Sequence, residues 1–281
     1  MPIEQANCMR RFVRMCADAW EQGWHESNAG NLSYRLDEED IRVCMPFFSI
    51  KGEGHEWHGL GFADSDLAGQ FFMVTAGGSP LRKVGIDPAI NCGVVEIDGE
   101  GKAWRKVWGL KGTHPTSEFS SHLLAHAVFI RETDGDNRVV YHAHAPNVTA
   151  LSLLLEPDEA QWNRALWGVM TEVIMLAPQG VGVLPWMLPG SKELAVRTAA
   201  KLEAHDAVVW TQHGIIVREQ TFDDAFGLAH AIEKAAGIYL NARAANGGHR
   251  PEHLVSPAQL AAICEKMGLD FDVSALAAPD E

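Results

Sequence analysis

Apolar residues recur at two different spacings along the chain, and each spacing predicts a different kind of element. At helical spacing within residues 3–22 they form one face of a first helix, which a glycine ends. An alternating run at Leu32, Tyr34 and Leu36 then predicts a strand. Residues 45–70 contain glycines and histidines without a regular apolar period, and we interpret them as a loop insertion.

Short apolar runs in the middle of the chain predict the strands of a sheet. Residues 71–75 predict a buried strand that ends in Ala76-Gly77-Gly78. The segments 93–97 and 103–108 flank a turn that contains two glycines, and they predict a β-hairpin. Further strands are predicted at 138–144, 171–177, 207–211 and 215–217.

Capping residues predict where the helices begin. Thr116 is expected to cap a helix over residues 117–132, with Glu118 in its first turn. Thr221 and Asp224 form a pair that resembles a capping box at the start of a long helix. Other helices are predicted over residues 147–155, 158–169 and 192–205, and after Ser256. Because strands and helices alternate without a linker-like break, we predict one α/β domain over residues 1–281.

The composition of the chain indicates the cellular compartment in which the protein is expected. With 281 residues and 47% hydrophobic composition, the chain can build one large core or two modest ones. No run approaches the roughly 18–20 apolar residues of a membrane-spanning helix, and the first residues lack the pattern of a secretory signal. The five cysteines are an odd number without a Cys-x-x-Cys motif, which disfavours a disulfide framework. We therefore expect a cytoplasmic protein that does not bind membranes.

Charge limits the classes of partner. The formal net charge of −14 argues against binding to nucleic acid or to an anionic membrane, because both need a positive field. A small anionic substrate remains possible, since backbone N–H groups and a few side chains can hold a phosphate locally. Thirteen histidines are many for this length, so their positions matter.

Two of the histidines occupy alternate positions of a predicted strand. His142 and His144 therefore share one face, with Cα atoms about 6.5 Å apart, and their imidazoles can converge on one metal ion. His213 lies between two apolar runs and precedes Gly214, where the end of a strand can present a side chain to a cleft. Three imidazoles leave one coordination position open, as a catalytic zinc ion requires. This set of ligands suits Zn, Cu, Fe or Ni rather than Mg or Ca.

A second histidine pair offers an alternative metal site. His122 and His126 are four residues apart on the helix predicted over 117–132, a spacing that can also chelate a metal ion. The residues between them lack the glutamate of the His-Glu-x-x-His motif. We interpret this pair as packed histidines, or as residues that orient the metal ligands without binding the metal themselves.

Three polar motifs, taken together, resemble one known family. They are Asn28-Ala29-Gly30-Asn31-Leu32-Ser33, His114-Pro115-Thr116-Ser117-Glu118, and His142-Ala143-His144 with the later His213-Gly214. This combination resembles the class II aldolase/adducin-head family, and the resemblance runs nearly from end to end of the chain.

The resemblance implies a three-layer α/β/α fold around a central, largely antiparallel mixed sheet. It also implies a homotetramer whose active sites lie at subunit boundaries, and a zinc ion held by His142, His144 and His213. Within that site, Glu118 matches the catalytic acid/base of the family. Glu172 matches a glutamate that is lent to the active site of the neighbouring subunit.

The resemblance further implies a binding site for the phosphate of the substrate. The positions that match it are Asn28, Asn31, Thr116 and Ser117. The sequence departs from the pattern at Gly77, where a serine hydroxyl is expected. We expect the backbone N–H of Gly77 to reach the phosphate in its place, with weaker phosphate binding and unchanged chemistry.

The implied reaction is the reversible aldol cleavage of a small sugar phosphate. A base takes the hydroxyl proton, and the metal stabilises the resulting enediolate, so that no Schiff-base lysine is needed. Three alternatives remain: a sister enzyme such as another ketose-phosphate aldolase or a pentulose-phosphate 4-epimerase, a scaffold without activity like the adducin head, and a structural metal-binding module. The presence of all three histidines with a nearby glutamate favours an enzyme.

Overall fold

The computed structural model describes residues 2–49 and 55–269, so part of the insertion at 45–70 lies outside the described residues. Contacts divide the described residues into two compact units. The first unit takes residues from Met1–Ala143, Leu188–Ala199 and Arg218–Phe226. The second takes residues from His144–Met187, Ala200–Val217 and Gly227–Glu281. The prediction of a single domain over the whole chain stays a prediction.

The described helices and strands follow in mixed order along the chain. The helices are α1 (Asn7–Glu21), α2 (Glu38–Cys44), α3 (Pro88–Asn91), α4 (Phe119–Glu132), α5 (Pro146–Leu151), α6 (Glu159–Val169), α7 (Thr171–Leu176), α8 (Lys192–Leu202), α9 (Phe222–Ala245) and α10 (Pro257–Met267). The strands are β1 (Asn31–Arg35), β2 (His58–Gly59), β3 (Phe71–Thr75), β4 (Cys92–Ile97), β5 (Ala103–Gly109), β6 (Val139–Ala143), β7 (Val181–Leu184), β8 (Ala207–Trp210) and β9 (Gly214–Glu219).

The strands of the first unit pair antiparallel, in the order β2-β5-β4-β3-β1-β6. The predicted hairpin of β4 and β5 is present, with an irregularity in its register between Val94 and Val95. Strand β1 lies between β3 and β6, and its residue Asn31 stands opposite His142. All five residues of β1 are buried, because this strand is covered on both faces.

The second unit contains a smaller group of strands. Strand β7 runs parallel to β8, and β8 pairs antiparallel with the first residues of β9. The two predicted strands at 207–211 and 215–217 therefore form a hairpin whose turn is residues 211–213, whereas the sequence pattern places the hinge at Gln212-His213-Gly214. Gly214 is already the first residue of β9. The predicted α/β class with a largely antiparallel sheet is confirmed.

The prediction of a strand at 171–177 is wrong, because this segment is the helix α7. Val173 and Ile174 are buried while the residues on either side of them are exposed or half-exposed, a pattern that fits a helix and not an alternating strand. The β-branched residues of this segment favour a strand locally, and packing against α6 and α10 overrides that preference. Helix α2 has no counterpart in the prediction; its cap is Asp37, whose side chain accepts from the N–H of Asp40 at 2.8 Å.

The long apolar segments account for most of the buried surface. In the first unit, one cluster packs α4 against β3 and β4; its members include Phe72, Val74, Val95, Ile97 and Leu123. Trp162 and Trp167 of α6 are fully buried in the second unit. Burial of each such side chain contributes about 1.5–3 kcal/mol before the entropy of ordering is subtracted.

The cysteines and the described helices bear on two further predictions, the state of the thiols and the lack of a membrane-spanning segment. All five cysteines are buried free thiols, which agrees with the expected lack of a disulfide framework. Among the described residues, none of the helices has the length and apolar character that crossing a bilayer requires.

Candidate metal centre and active site

Three histidines meet at the ends of strands. His142 belongs to β6, His144 follows directly after that strand, and His213 lies in the turn between β8 and β9. Ring nitrogens of the three lie within 4.8 Å of one another. The rings of His144 and His213 are 4.9 Å apart and nearly perpendicular, so their edges can face one common point.

The geometry of this group fits a tetrahedral metal ion. Zn–N bonds of 2.0–2.1 Å place the ligand nitrogens of a tetrahedral site about 3.3 Å apart. The ligand nitrogens of the three histidines lie within 4.8 Å of one another, so they are grouped closely enough to share one ion. Three imidazoles as protein ligands leave the fourth position for substrate or water, which is the arrangement of a catalytic site. The donor set is compatible with zinc and with other imidazole-binding metals.

Local interactions of the second unit fix the turn of His213 and the helix that begins just after His144. The turn that carries His213 needs Gln212 at a φ of 58°, and the N–H of Gln212 donates to the Ser152 hydroxyl at 2.8 Å. The ring of His213 also stacks on Trp210, with centroids 5.1 Å apart. Three residues after His144 in the chain, at the start of α5, the N–H groups of Asn147 and Val148 donate to the carboxylate of Glu233. The turn that carries His213 and the start of α5 after His144 are therefore each held by groups outside the three histidines.

Glu118 lies beside this group. Its Oε2 is 3.5 Å from Nε2 of His142, and the residue is only 5% exposed. Helix α4 begins at Phe119, so Glu118 is its N-cap residue and not part of its first turn as predicted. The Thr116 hydroxyl accepts from the N–H of Glu118 at 3.4 Å, so it caps the chain just before the helix. This start places the carboxylate at the end of α4 that faces His142.

The loop before β1 is held by His25, which no sequence motif marks as a site residue. His25 contacts the Tyr141 hydroxyl through Nε2 at 2.7 Å and the Ala29 carbonyl through Nδ1 at 3.1 Å. Gly30 has a φ of +71°, and a Cβ there would lie 2.0 Å from His25 Nδ1 and 2.9 Å from the His142 carbonyl. Only glycine fits between these groups. A single histidine ahead of the loop carries no motif from which this role could be inferred.

The five predicted phosphate positions differ in their surroundings. Asn28 and Ser117 are exposed, whereas Asn31 and Thr116 are buried beside Glu118. Among these, the expectation for Gly77 needs correction. Its N–H donates to the His114 carbonyl at 2.8 Å, so this group is already used within the protein. The sequence could not show this, because the contact depends on how the His114 loop folds back onto Gly77.

The other predicted residues lie apart from the three-histidine group. Glu172 is exposed on α7, so its assigned role in a neighbouring subunit stays a prediction. His122 and His126 are fully buried on α4 and contact Ser33 of β1. The alternative metal site therefore has both of its histidines bonded to a serine hydroxyl, and their interpretation as packed or supporting residues agrees with these contacts.

The α/β fold, the three convergent imidazoles and the adjacent carboxylate are the features of a metal-dependent enzyme of the aldolase type. The family model described as Class II Aldolase and Adducin N-terminal domain matches residues 10–240. The chain belongs to this family, as its motifs predict, and it is a lyase of the class II aldolase type.

Relatives of known name agree with this family. The chain is 37% identical over 278 residues to a rhamnulose-1-phosphate aldolase from Escherichia fergusonii, with 98% of both chains covered. It is 36% identical over 276 residues to the protein of the same name from Escherichia coli K12, again with 98% of each covered. A sugar-phosphate aldolase structure from Thermotoga maritima superposes with a TM-score of 0.69 at 30% identity, covering 87% of this chain and 99% of that one. The fold is also similar to that of L-fuculose-1-phosphate aldolase from Thermus thermophilus, with a TM-score of 0.55 and 21% identity over 85% of this chain and 96% of that one.

Proposed function

We propose that the chain catalyses the reversible cleavage of L-rhamnulose 1-phosphate to dihydroxyacetone phosphate and L-lactaldehyde. The observation that carries this proposal is the group of three histidines with the buried Glu118 beside it. The choice of sugar is supported by the 37% identity to proteins named rhamnulose-1-phosphate aldolase, which extends over 98% of the chain.

The metal in this proposal is a zinc ion held by His142, His144 and His213. When bound, the ion withdraws electrons from the substrate carbonyl and offsets the negative charge that develops on its oxygen. The three neutral imidazoles supply no charge of their own, so the full cationic field is available to the substrate.

Glu118 is proposed as the group that moves the proton. Its carboxylate is buried and lies 3.5 Å from a ring nitrogen of His142, so it faces the atoms that react. The amide of Asn31 donates to Glu118 Oε2 at 2.8 Å and orients it. Glu172 is the proposed partner on the aldehyde side, contributed by a neighbouring subunit.

The substrate phosphate is proposed to lie beside the start of α4. Asn28, Thr116 and Ser117 offer an amide and two hydroxyls there, and Asn31 has a second amide N–H besides the one that it gives to Glu118. Because Gly77 supplies neither a hydroxyl nor a free N–H, these side chains carry the phosphate contacts that it does not make.

We also propose a cytoplasmic homotetramer in which residues 1–281 act as one functional domain. The reduced state of five buried thiols is compatible with a reducing compartment. The family match over residues 10–240 includes parts of both compact units, which supports one functional module. The proposed partners are a small sugar phosphate and further copies of the chain, without nucleic acid or membrane.

Three alanine variants test the metal site: His142→Ala, His213→Ala and His126→Ala. We expect the first two to lose most of their zinc and of their release of dihydroxyacetone phosphate, because each removes one of three ligands. His126→Ala should keep its zinc. Elemental analysis of the purified proteins, with a cleavage assay on a panel of ketose 1-phosphates, measures both metal and substrate choice. Zinc retained in the first two variants and lost in the third would place the metal at the helix pair instead.

A further inference from the structure

Helix α4 and strand β1 pack with matching periods along one buried line. Residues two apart on β1 are about 6.6 Å apart, and residues four apart on α4 are about 6 Å apart. Asn31 and Ser33 of β1 therefore lie at the same spacing as the N-cap residue Glu118 and as His122 and His126 of α4. All five residues are less than a tenth exposed. We call Asn31, His122, Ser33 and His126 the α4–β1 polar row, which ends at Glu118.

Each member of the row contacts the next at hydrogen-bond distance. Asn31 Nδ2 donates to Glu118 Oε2 at 2.8 Å, and His122 Nε2 lies 2.5 Å from Asn31 Oδ1. The Ser33 hydroxyl lies 2.7 Å from His122 Nδ1 and 2.9 Å from His126 Nε2. The row is thus an unbroken chain of side chains that leads from the centre of the packed helix to the carboxylate.

Burial decides the protonation of the two histidines. It lowers the pKa of His122 to about 3, and it lowers the pKa of His126 well below its usual value, with smaller contributions from the neighbouring His122, Arg35 and Arg138. Both rings are therefore neutral near pH 7, and each has one nitrogen that donates and one that accepts.

The direction of every hydrogen bond then follows from Glu118. A carboxylate only accepts, so Asn31 turns its NH₂ group toward Glu118 and its oxygen toward His122. His122 must carry its proton on Nε2, which leaves Nδ1 to accept from the Ser33 hydroxyl. Ser33 in turn accepts from Nε2–H of His126. No described residue bonds to the remaining Nδ1 of His126, which is the lone-pair end of the row. In each hydrogen bond of the row, the residue farther from Glu118 is therefore the donor and the nearer one the acceptor.

We propose that His122, Ser33 and His126 are positioning residues. They hold Asn31 in one orientation, and Asn31 in turn orients the Glu118 carboxylate toward the reacting atoms. This inference rests on the proposed role of Glu118 in the lyase reaction. Packing alone does not require such residues, because buried apolar side chains would fill the same space without polar groups to satisfy. The hydrogen bonds between successive members specify one orientation of Asn31. Displacement of a catalytic group by about 1 Å lowers a rate by roughly 10²-fold.

Two variants at one position test the proposal. In His122→Gln the amide nitrogen can reach the place of Nε2 and donate to Asn31, whereas in His122→Leu the donor is lost. We expect His122→Leu to lower kcat about 10- to 100-fold with KM and bound metal nearly unchanged, and His122→Gln to recover most of that loss. The same order is expected for the exchange of a dihydroxyacetone phosphate C–H proton with deuterated water, followed by NMR, since this half-reaction needs the proton-moving group and the metal but no aldehyde.

Tyr34→Phe is the matched control. Tyr34 is the neighbour of Ser33 on β1 but points away from the row, and its hydroxyl donates to Asp40 at 2.6 Å. The variant removes a buried hydrogen bond from the same strand, so its unfolding midpoint should fall while kcat per bound metal stays at the wild-type value. Ser33→Ala removes one hydroxyl with little change of shape and serves as the row variant if His122→Leu does not fold.

The outcomes separate the two proposals. A wild-type protein that binds metal but neither cleaves ketose 1-phosphates nor exchanges the proton would overturn the proposed function itself. An active wild type with unchanged kcat in His122→Leu and Ser33→Ala would overturn the positioning role alone. Failure of His122→Gln to recover activity, or an equal loss of kcat in Tyr34→Phe, would show that the row only contributes to packing.

Discussion

Close contacts with neighbouring atoms restrict two positions around the site, Gly30 and Gly77, to glycine. Gly30 lies against the ring of His25 and the carbonyl of His142, so the loop that precedes β1 can pass close to one histidine of the candidate metal site. Gly77 is confined in a similar way, because a Cβ there would lie 2.7 Å from Cε1 of His114 and 3.1 Å from the Pro115 carbonyl. The absence of the expected serine at position 77 is therefore linked to the conformation of His114.

This link makes a prediction for Gly77→Ser. The added side chain must displace the His114 ring, which bonds to the Pro115 carbonyl at 2.7 Å. We expect the single variant to raise KM for the sugar phosphate by roughly three- to tenfold, about 1 kcal/mol of binding. The double variant with His114→Ala has room for the serine and should return KM toward the wild-type value. Steady-state kinetics of the four proteins measures the interaction, and a lower KM in the single variant would contradict it.

The carboxylate of Glu159 forms hydrogen bonds with several elements of the second unit. Glu159 stands in the first turn of α6, accepts from Lys201 of α8 at 2.5 Å, and lies 3.6 Å from a ring nitrogen of His205. It also accepts from the N–H of Val183 in β7 at 3.3 Å. His205 foremost, and then Lys201, lower the pKa of Glu159 to about 2.

The lowered pKa predicts how the protein responds to acid. Because the pKa of Glu159 in the folded state lies below its unfolded value near 4.5, the ionised group stabilises the fold above that pH. The contribution is lost as the pH falls from 4.5 toward 2. In Glu159→Gln this loss should be absent, so its urea midpoint should fall less steeply with acid than that of the wild type. The effect is moderate, since the side chain is 33% exposed and partly screened by water. Parallel curves for the two proteins would contradict the prediction.

At the scale of the whole molecule, the proposed assembly determines whether one chain is sufficient for activity. If Glu172 serves the neighbouring subunit, a variant that lacks Glu172 and a variant that lacks a metal ligand have different defects. Mixed subunits of Glu172→Gln and His213→Ala should then regain activity, up to about a quarter of the wild-type level for random mixing of equal amounts.

A second mixture is the control for this experiment. His142→Ala and His213→Ala both damage the metal ligands of their own subunit, so their mixture should stay inactive. Native mass spectrometry establishes that subunits have exchanged in both mixtures. Exchange without recovery in the first mixture would mean that Glu172 does not act across a subunit boundary.

Much of the architecture could be predicted because its determinants are local. The hairpin of β4 and β5, the opening of α9 at Thr221, and the capping box at Ser256 follow from turn and capping residues. Segment 171–176 could not be predicted, since its β-branched residues favour a strand until contacts with other helices decide otherwise. Residues 117–118 are outside α4, and the N–H of Glu118 donates to the Thr116 hydroxyl instead.

The sequence by itself determined the chemistry that the protein can offer: imidazoles at alternate positions of a strand, a third beside a glycine, and a family in which such residues serve aldol cleavage. These are properties of residue type and spacing. The tertiary structure decided that the three rings meet within 4.8 Å, that Glu118 lies beside them, and that the N–H of Gly77 is already bonded. It also decided that His122 and His126 connect to Glu118 through Ser33 and Asn31. These contacts join segments far apart in the chain, and only folding brings such segments together.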